Sequence, residues 1–368
     1  MKEAFVSEDL KVQIIDTPIP ELTAPDQILI KVVVTGTNPK DWKAIRRYTP
    51  QLEKYNGANT GDDIAGVVEQ VGSSVYEFKP GDRVAAFHEM MTPAGSFAEY
   101  AIAYQHCTFH IPPTTTFEEA AALPLAAMTA AIGLYRNLGL PQPWSPPNPS
   151  PHSAPLPLII YGASSAVGFY ALQFALKSNI HPLICVAGRA GNDYILPYLD
   201  KSKGDVLIDY RDGQEKVIDA ILKSAPKGGS PPILHAFDAV SEHGSPFQIA
   251  QVFAAQQQQQ TGSSSSKPKV TFVLAGPKEG IPDDGSVESS ITLVADAHNP
   301  DNGREFAHVY FRYISLGLAE GWFKGHRQEV IPGGLAGVRT ALENLKGGKA
   351  SGIKYVMRIG ETEGVARK

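Results

Sequence analysis

From Leu156 onward the chain alternates short apolar runs with amphipathic stretches, and the first run, LPLIIYG, passes without a break into GASSAVG and then into a helical pattern. A strand that feeds a small-residue turn and then a helix, several times over, reads as βαβ units, whose strands assemble into a parallel sheet covered by helices. The later runs are PLICVAG, DVLIDY, PILHAFDAV and KVTFVLAG. In the first helical stretch Val167, Tyr170, Ala171, Phe174 and Ala175 fall at i, i+3, i+4, i+7 and i+8, a single stripe for packing on the sheet. Val217, Ile218, Ile221 and Leu222 repeat the pattern, and the helical stretch between them is broken at Pro197.

The first 123 residues differ. Strand-sized pieces such as QILIKVVVTG, IAGVVEQVG and RVAAFHE are separated by turns such as KPGD, the pattern of a mostly β domain with Greek-key or barrel-like packing. The last seventy residues carry a helix around Phe306 to Leu318, a second at Gly337 to Leu345 and a strand, IKYVMRI, and are expected to return to the first domain. At 368 residues the chain exceeds what one core usually supports. The expected organisation is α/β, with residues 1–123 and 300–368 in one domain and 124–299 in the other. Two segments read as insertions: the Pro-rich stretch Pro141 to Pro157, and QQQQQTGSSSSKPK from Gln256 to Lys269. The second is too polar to offset its ordering entropy and is expected to be a mobile loop before a strand near Val270.

Lys plus Arg number 33 against 38 Asp plus Glu, so there is no basic excess to track a nucleic acid. The N-terminus alternates polar and apolar residues and no stretch approaches eighteen apolar residues, which points to a cytosolic protein with no membrane partner. Cys107 and Cys185 supply neither a disulfide framework nor a four-thiolate zinc site and read as buried thiols. His88, His106, His110 and the other histidines show no ligand-pair spacing and read as scattered polar or surface side chains, so no metal site is expected.

The turn Gly162 to Gly168 carries the chemistry. Gly162 permits a tight turn, Ala163, Ser164, Ser165, Ala166 and Val167 leave backbone N–H groups open to a pyrophosphate at the helix N-terminus, and Gly168 lets the helix lie close on the strand. Ser165 stands where the strict dinucleotide fingerprint has its central glycine, so a turn without ligand stays open on these residues alone. The second strand ends in Ala187, Gly188 and Arg189, with no acid to hold a ribose 2′-hydroxyl. Arg189 is either a clasp for a 2′-phosphate, with Tyr210 adding a hydroxyl, or a solvated loop charge; the missing acid favours NADPH over NADH.

TNPKDWK at Thr37 to Lys43, GDDIAGVVEQVG at Gly61 to Gly72, KPGDRV, GSFAEY at Gly95 to Tyr100, LPLAAMTA at Leu123 to Ala130, YGASSAVG and GKASGIKYV occur in this order. Together they resemble the zinc-independent quinone-reductase and enoyl-reductase branch of the medium-chain dehydrogenase/reductase superfamily, and within it the fungal-type trans-acting enoyl reductases, over nearly the whole chain. The resemblance implies a GroES-like catalytic domain made from both chain ends, a Rossmann domain between, the cofactor in the cleft they form, and hydride transfer to a conjugated carbonyl. Zinc enzymes of the superfamily carry Cys near Asn38 and Gly-His-Glu where this chain has Gly61, Asp62 and Asp63. The resemblance makes Asn38, Asp41, Lys43 and Thr129 the candidate catalytic residues. Lys43 is either an ammonium that stabilises an oxyanion or protonates the product through water, or a solvent-facing lysine beside Trp42. Thr129, near the start of the helix after LPLAAM, bonds nicotinamide or substrate, or else its own helix. Leu274, Ala275 and Gly276, with Ala350, Ser351 and Gly352, resemble segments that close over the nicotinamide. Asp63 and Gly66 match a turn common to the superfamily and read as structural.

Three functions stay open at this level. They are a trans-acting enoyl reductase working on a carrier-tethered acyl chain with a polyketide synthase as partner, a stand-alone NADPH:quinone or enone reductase, and a cofactor-binding protein without turnover. Met90, Met128 and Phe311 are candidates for the substrate wall, and monomer and homodimer are both compatible with the pattern.

Overall fold

A computed structural model describes residues 1–145, 155–225, 232–259, 266–276 and 278–366; the expectations placed on 146–154 and 260–265, and on the Arg189 side chain, fall outside what it describes. The contacts divide the chain into two compact units, Met1–Met128 with Ala295–Lys368, and Thr129–Val294.

The first unit opens with β1 (Lys2–Val6), β2 (Val12–Asp16) and β3 (Gln27–Gly36), then α1 (Lys40–Lys43) and α2 (Thr49–Tyr55). It continues through β4 (Asp63–Val71), β5 (Arg83–Phe87), β6 (Tyr100–Tyr104), β7 (Thr108–His110) and α3 (Phe117–Ala121) to the start of α4 (Pro124–Ala131). The second unit alternates β8 (Leu158–Tyr161), α5 (Ala166–Lys177), β9 (Leu183–Ala187), α6 (Arg189–Ile195), β10 (Val206–Asp209) and α7 (Gln214–Lys223). It ends with β11 (His235–Asp238), α8 (Ser245–Gln259), β12 (Lys269–Phe272) and β13 (Glu288–Ile291). The chain then returns with α9 (Gly303–Glu320), β14 (Gln328–Val330), α10 (Gly337–Lys346) and β15 (Lys354–Arg358) to complete the first unit.

In that unit the strand order is β14-β15-β3-β4-β5-β7, with β6 also on β3. One long strand serves three partners because its register shifts at Leu29/Ile30 and Val32/Val34; the bulges turn it from β6 at its start to β15 at its end. Val6, Ile28, Ile30, Ile64, Val84 and Met357 fill the core this makes. From α10, Val338, Ala341 and Leu342 bury against it, the valine and leucine contributing about 1.5–3 kcal/mol each.

The second unit is a parallel sheet in the order β10-β9-β8-β11-β12-β13. Counting its strands from one to six, the order is 3-2-1-4-5-6, the doubly wound arrangement in which the strand order reverses between β8 and β11. Every strand pair is parallel because each crossover carries a helix or a long connection, as the alternating pattern requires.

Three local expectations change. The stripe on α5 is wider than its periodicity, since Gly168 through Ala175 are all buried while Val167 is only half-buried; neighbours such as Tyr135 and Tyr194 cover faces the sheet does not. The glutamine tract is not all loop. Glutamine is a good helix former, so α8 runs through Gln259, and buried Gln256 accepts a hydrogen bond from Ile233 N at 2.9 Å. Finally, α4 begins at Pro124, so Thr129 lies deep in the helix rather than near its start. Proline suits a first turn, and the Asp63 carboxylate takes the Leu125 N–H at 2.7 Å.

Candidate functional site

The turn after β8 has the geometry of a backbone cradle. Gly162 has φ +78°, and a Cβ there would stand 2.5 Å from Val240 Cγ2. Ser165 is the N-cap of α5, its Oγ accepting from Gly168 N at 3.1 Å, and Gly168 lies so close to the turn that a Cβ would come to 2.2 Å from Gly162 O. Both glycines are thus required by conformation and approach. Ala166 and Val167 open the helix ahead of its own hydrogen-bond ladder, so their amides point to the end where an anion is favoured. Ser164 is half-buried and packs where a side chain on Gly191 of α6 would stand.

The other nucleotide candidates lie at the carboxyl ends of the same parallel strands. Ala187 ends β9, Gly188 follows it, and Tyr210 follows β10 with its ring 3.0 Å from where a Gly188 Cβ would be. Tyr210 is half exposed, its ring open to solvent. The fifth strand stops at Phe272, so Leu274, Ala275 and Gly276 occupy a bend beyond it, the last two exposed and Gly276 at φ +113°. One acid escaped sequence reasoning here: Asp238, ending β11, is buried and accepts from Val240 N, Ser241 N and Ser245 Oγ at 2.6–2.9 Å. Burial raises its pKa, and its hydrogen bonds shape the loop at the switch point.

The first unit holds two buried ionic clusters. Asp63, fully buried, accepts from Leu125 N and Asn38 Nδ2, each at 2.7 Å, and from Lys354 Nζ at 2.5 Å; Lys354 also donates to Asn38 Oδ1 at 3.1 Å. Asn38 therefore has its amide fixed at both ends. In the second cluster Lys40 Nζ pairs with Asp62 and with Asp41 at 2.9 Å, and donates to Tyr48 Oη at 3.0 Å and Thr60 O at 2.5 Å. Burial raises Asp41 to about 7 and Asp62 to about 6, against the pull of Lys40. Lys40 itself is opposed by burial but held well above its usual value by the two carboxylates.

Of the four catalytic candidates, Asn38, Asp41 and Thr129 are buried. Asp41 has no exposed surface; its Oδ2 takes the Asn38 N–H at 2.8 Å, which holds the start of α1. Lys43 is exposed on α1 with its ammonium 5.4 Å from the Trp42 ring centroid. Lys40, Tyr48 and Asp62 were not legible as a cluster, because a lysine between Pro39 and Asp41 reads as a surface charge. Ala350 packs at the edge of the core and Ser351 is exposed. Asp62 and Asp63, which stand where zinc enzymes of the superfamily carry His and Glu, are each paired with a lysine, Asp62 with Lys40 and Asp63 with Lys354. The histidines are less scattered than their spacing implies: His88, His106, His298 and His326 are buried, and His106 and His298 meet at 3.3 Å although 192 positions apart.

Residues 24–113 match the alcohol dehydrogenase GroES-like domain family. The trans-enoyl reductase fsr4 of Gibberella fujikuroi is 45% identical over 334 residues, covering 90% of this chain and 91% of that protein. The chain belongs to the trans-enoyl reductases. A second member of the family, the trans-enoyl reductase resD of Aspergillus sclerotiorum, is 30% identical across 94% of this chain and 96% of its own. Among solved structures, a protein from Rhizobium etli described as a putative zinc-dependent alcohol dehydrogenase superposes with TM-score 0.74 at 21% identity, covering 97% of this chain and 98% of that one. The CurK enoyl reductase does so with TM-score 0.69 at 16% identity and the same coverage. Membership makes this trans-enoyl reductase an oxidoreductase with a GroES-like domain and a Rossmann-type sheet. Among the described residues no helix is long and apolar enough to cross a membrane.

Proposed function

We propose that the protein reduces the C=C bond of an α,β-unsaturated acyl thioester with NADPH, acting in trans on a chain carried by a polyketide synthase. The observation that carries this reading is the 45% identity to a trans-enoyl reductase over nine-tenths of the chain. The nucleotide-side residues suit the cofactor: Gly162 and Gly168 let strand, turn and helix pack closely, and Ser164, Ser165, Ala166 and Val167 surround the start of α5. In this reading the pyrophosphate lies on that turn. Ala187, Gly188, Arg189 and Tyr210 hold the adenosine end with its 2′-phosphate, and Leu274, Ala275 and Gly276 bound the nicotinamide on the side of the second unit. NADPH, when bound, supplies the hydride that adds to the β-carbon.

The rest falls to the chain. As the β-carbon is reduced, negative charge gathers on the thioester oxygen, and neutral donors held in fixed orientation favour it most. The Asn38 backbone and amide, fixed by Asp41, Asp63 and Lys354, orient that region of the unit; the Thr129 hydroxyl is a donor of the required type; exposed Lys43 returns a proton to the α-carbon directly or through water.

Oxidation of NADPH, followed by its absorbance, is measured with a 2-enoyl pantetheine thioester, a simple quinone and a saturated aldehyde. Turnover concentrated on the enoyl thioester is expected. Turnover on the quinone alone replaces the proposal with a stand-alone quinone reductase, and binding without turnover on all three replaces it with a non-catalytic protein. The Arg189→Ala variant is expected to weaken NADPH by about tenfold or more, roughly 1.4 kcal/mol, while leaving NADH nearly unchanged. Equal weakening of both removes Arg189 from the phosphate site.

A further inference from the structure

Away from the residues considered so far, His106, Cys107 and His298 meet inside the first unit. His106 and Cys107 are neighbours in the turn after β6, and His298 comes from the connection into α9, 192 and 191 positions away. Their exposures are 6%, 0% and 7%. His298 Nδ1 stands 3.3 Å from His106 Nε2 and 3.9 Å from Cys107 Sγ, and all three donor atoms lie within 4.8 Å of one another. An ion bound at ordinary Zn–N and Zn–S lengths in a trigonal plane puts its donors about 3.5–3.8 Å apart, which these separations bracket. Among the described residues this is the group of three side chains with that geometry.

We propose that His106, Cys107 and His298 form a three-coordinate site for a soft d10 metal ion, held by the Cys107 thiolate and the two imidazoles. Hydrogen bonding alone satisfies the cluster poorly. If one imidazole donates to the other, Cys107 is left with contacts of 3.9 Å to Ala297 O and His298, and His298 Nε2 is buried without a partner. Both imidazoles are kept neutral, first by burial, then at His106 by the Arg304 and Arg312 guanidiniums and at His298 by the His106 and His88 rings and Arg304, so their lone pairs are available; burial holds His106 down to about 3. Burial also favours the Cys107 thiol over its thiolate, so binding releases its proton to solvent.

Charge and coordination number choose among soft ions. Arg304 donates to His298 O at 3.2 Å, and Arg312 donates to Gln105 O at 3.0 Å with its charge shared by Glu77, so guanidiniums flank the site and no carboxylate is among its donors. A monovalent ion with one thiolate is neutral there, whereas a dication leaves a net charge beside two guanidiniums. Three protein donors also suit copper(I) better than zinc, which takes four. The occupant the geometry favours is copper(I). Its role is structural, tying the turn after β6 to the approach of α9.

The protein, reduced and stripped with a chelator, is incubated separately with Zn²⁺ and with copper(I) buffered by a chromogenic chelator, then desalted. Bound metal is measured by mass spectrometry, and alkylation of Cys107 is followed against Cys185, the other cysteine and an internal reference. Expected is one copper ion retained per chain, with Cys107 alkylation slowed roughly tenfold and Cys185 unchanged. Copper retention should vanish in Cys107→Ser, and both retention and the protection of Cys107 should vanish in His298→Gln, each variant checked for a native circular dichroism spectrum. Zinc retained with the same protection and the same loss supports the site with a dication as occupant. No metal retained from either solution, or retention that survives Cys107→Ser, overturns it.

Discussion

Lys354→Met removes the cation from a carboxylate that has no exposed surface. Asp63 keeps two donors, Leu125 N and Asn38 Nδ2, but loses the shortest of its three hydrogen bonds and its counter-charge, while Asn38 Oδ1 loses its donor. Breaking a buried pair by deleting one partner costs about 3–5 kcal/mol, and the two surviving donors place this case near the lower end. The unsatisfied Asn38 oxygen adds about 1 kcal/mol, for a total of about 4 kcal/mol. Urea unfolding followed by tryptophan fluorescence measures it; Trp42 and Trp322 both belong to the first unit. The shift is read from the transition midpoint, since two units need not unfold together. In the double variant Lys354→Met with Asp63→Asn the buried charge is gone, and about 2–3 kcal/mol of the loss should return as coupling. A single-variant cost below about 1 kcal/mol, or a double variant as unstable as the sum of the singles, refutes the argument that the ammonium is what makes burial of Asp63 tolerable.

Gly168→Val puts a branched side chain where a Cβ alone would stand 2.2 Å from Gly162 O, so nucleotide binding by fluorescence titration should be lost in a chain that still folds its first unit; unchanged affinity would remove the turn from the site. Ser165→Ala deletes the cap of α5 and should lower stability by about 1 kcal/mol in thermal or urea unfolding, with a cost near zero showing that the cap is idle. Asp41 and Asp62 have folded pKa values raised to about 7 and about 6 from 3.8, so the stability they contribute is complete below about pH 4 and is lost as the pH rises through 6 to 7. Asp62→Asn, which leaves Lys40 with one carboxylate, should flatten that decline between pH 5 and 8; a profile as steep as the parent's would show that the two acids do not share one lysine's charge. Lys43→Met should lower turnover several-fold without altering NADPH affinity if the exposed ammonium returns the proton, and unchanged turnover would assign it to the surface beside Trp42.

The alternating pattern after Leu156 was sufficient to read the parallel sheet, because each βα unit is a local signal: β8, the GASSAVG turn and α5 are contiguous in the chain. Of the stripe Val217, Ile218, Ile221 and Leu222, the first and third are buried and the other two half-buried against the same core. What the pattern hid depends on distance along the chain. Lys354 and Asp63 are 291 residues apart, and Lys40 finds Asp62 and Tyr48 only once α1 has folded back on the segment before β4. Lys43, carrying the resemblance, and Lys40, three residues earlier, differ little as letters, yet one is exposed on an indole and the other is enclosed by two acids. Gln256 was misread because composition alone cannot tell a polar tract continuing a helix from one in a loop.

The placement of β15 sets an order on how this chain becomes a protein as it leaves the ribosome. The strand lies between β14 and β3, the one at the far end of the chain and the other near its beginning, and brings Lys354 with it. Residues 129–294 have all the strands of their sheet once they are synthesised, whereas the first unit waits for residues 354–358 before β3 gains β15 and Asp63 its counter-ion. Until then the nascent N-terminal segment carries an open strand edge and an uncompensated acid, and a ribosome that stops short of residue 354 leaves a product whose middle is complete and whose beginning is not.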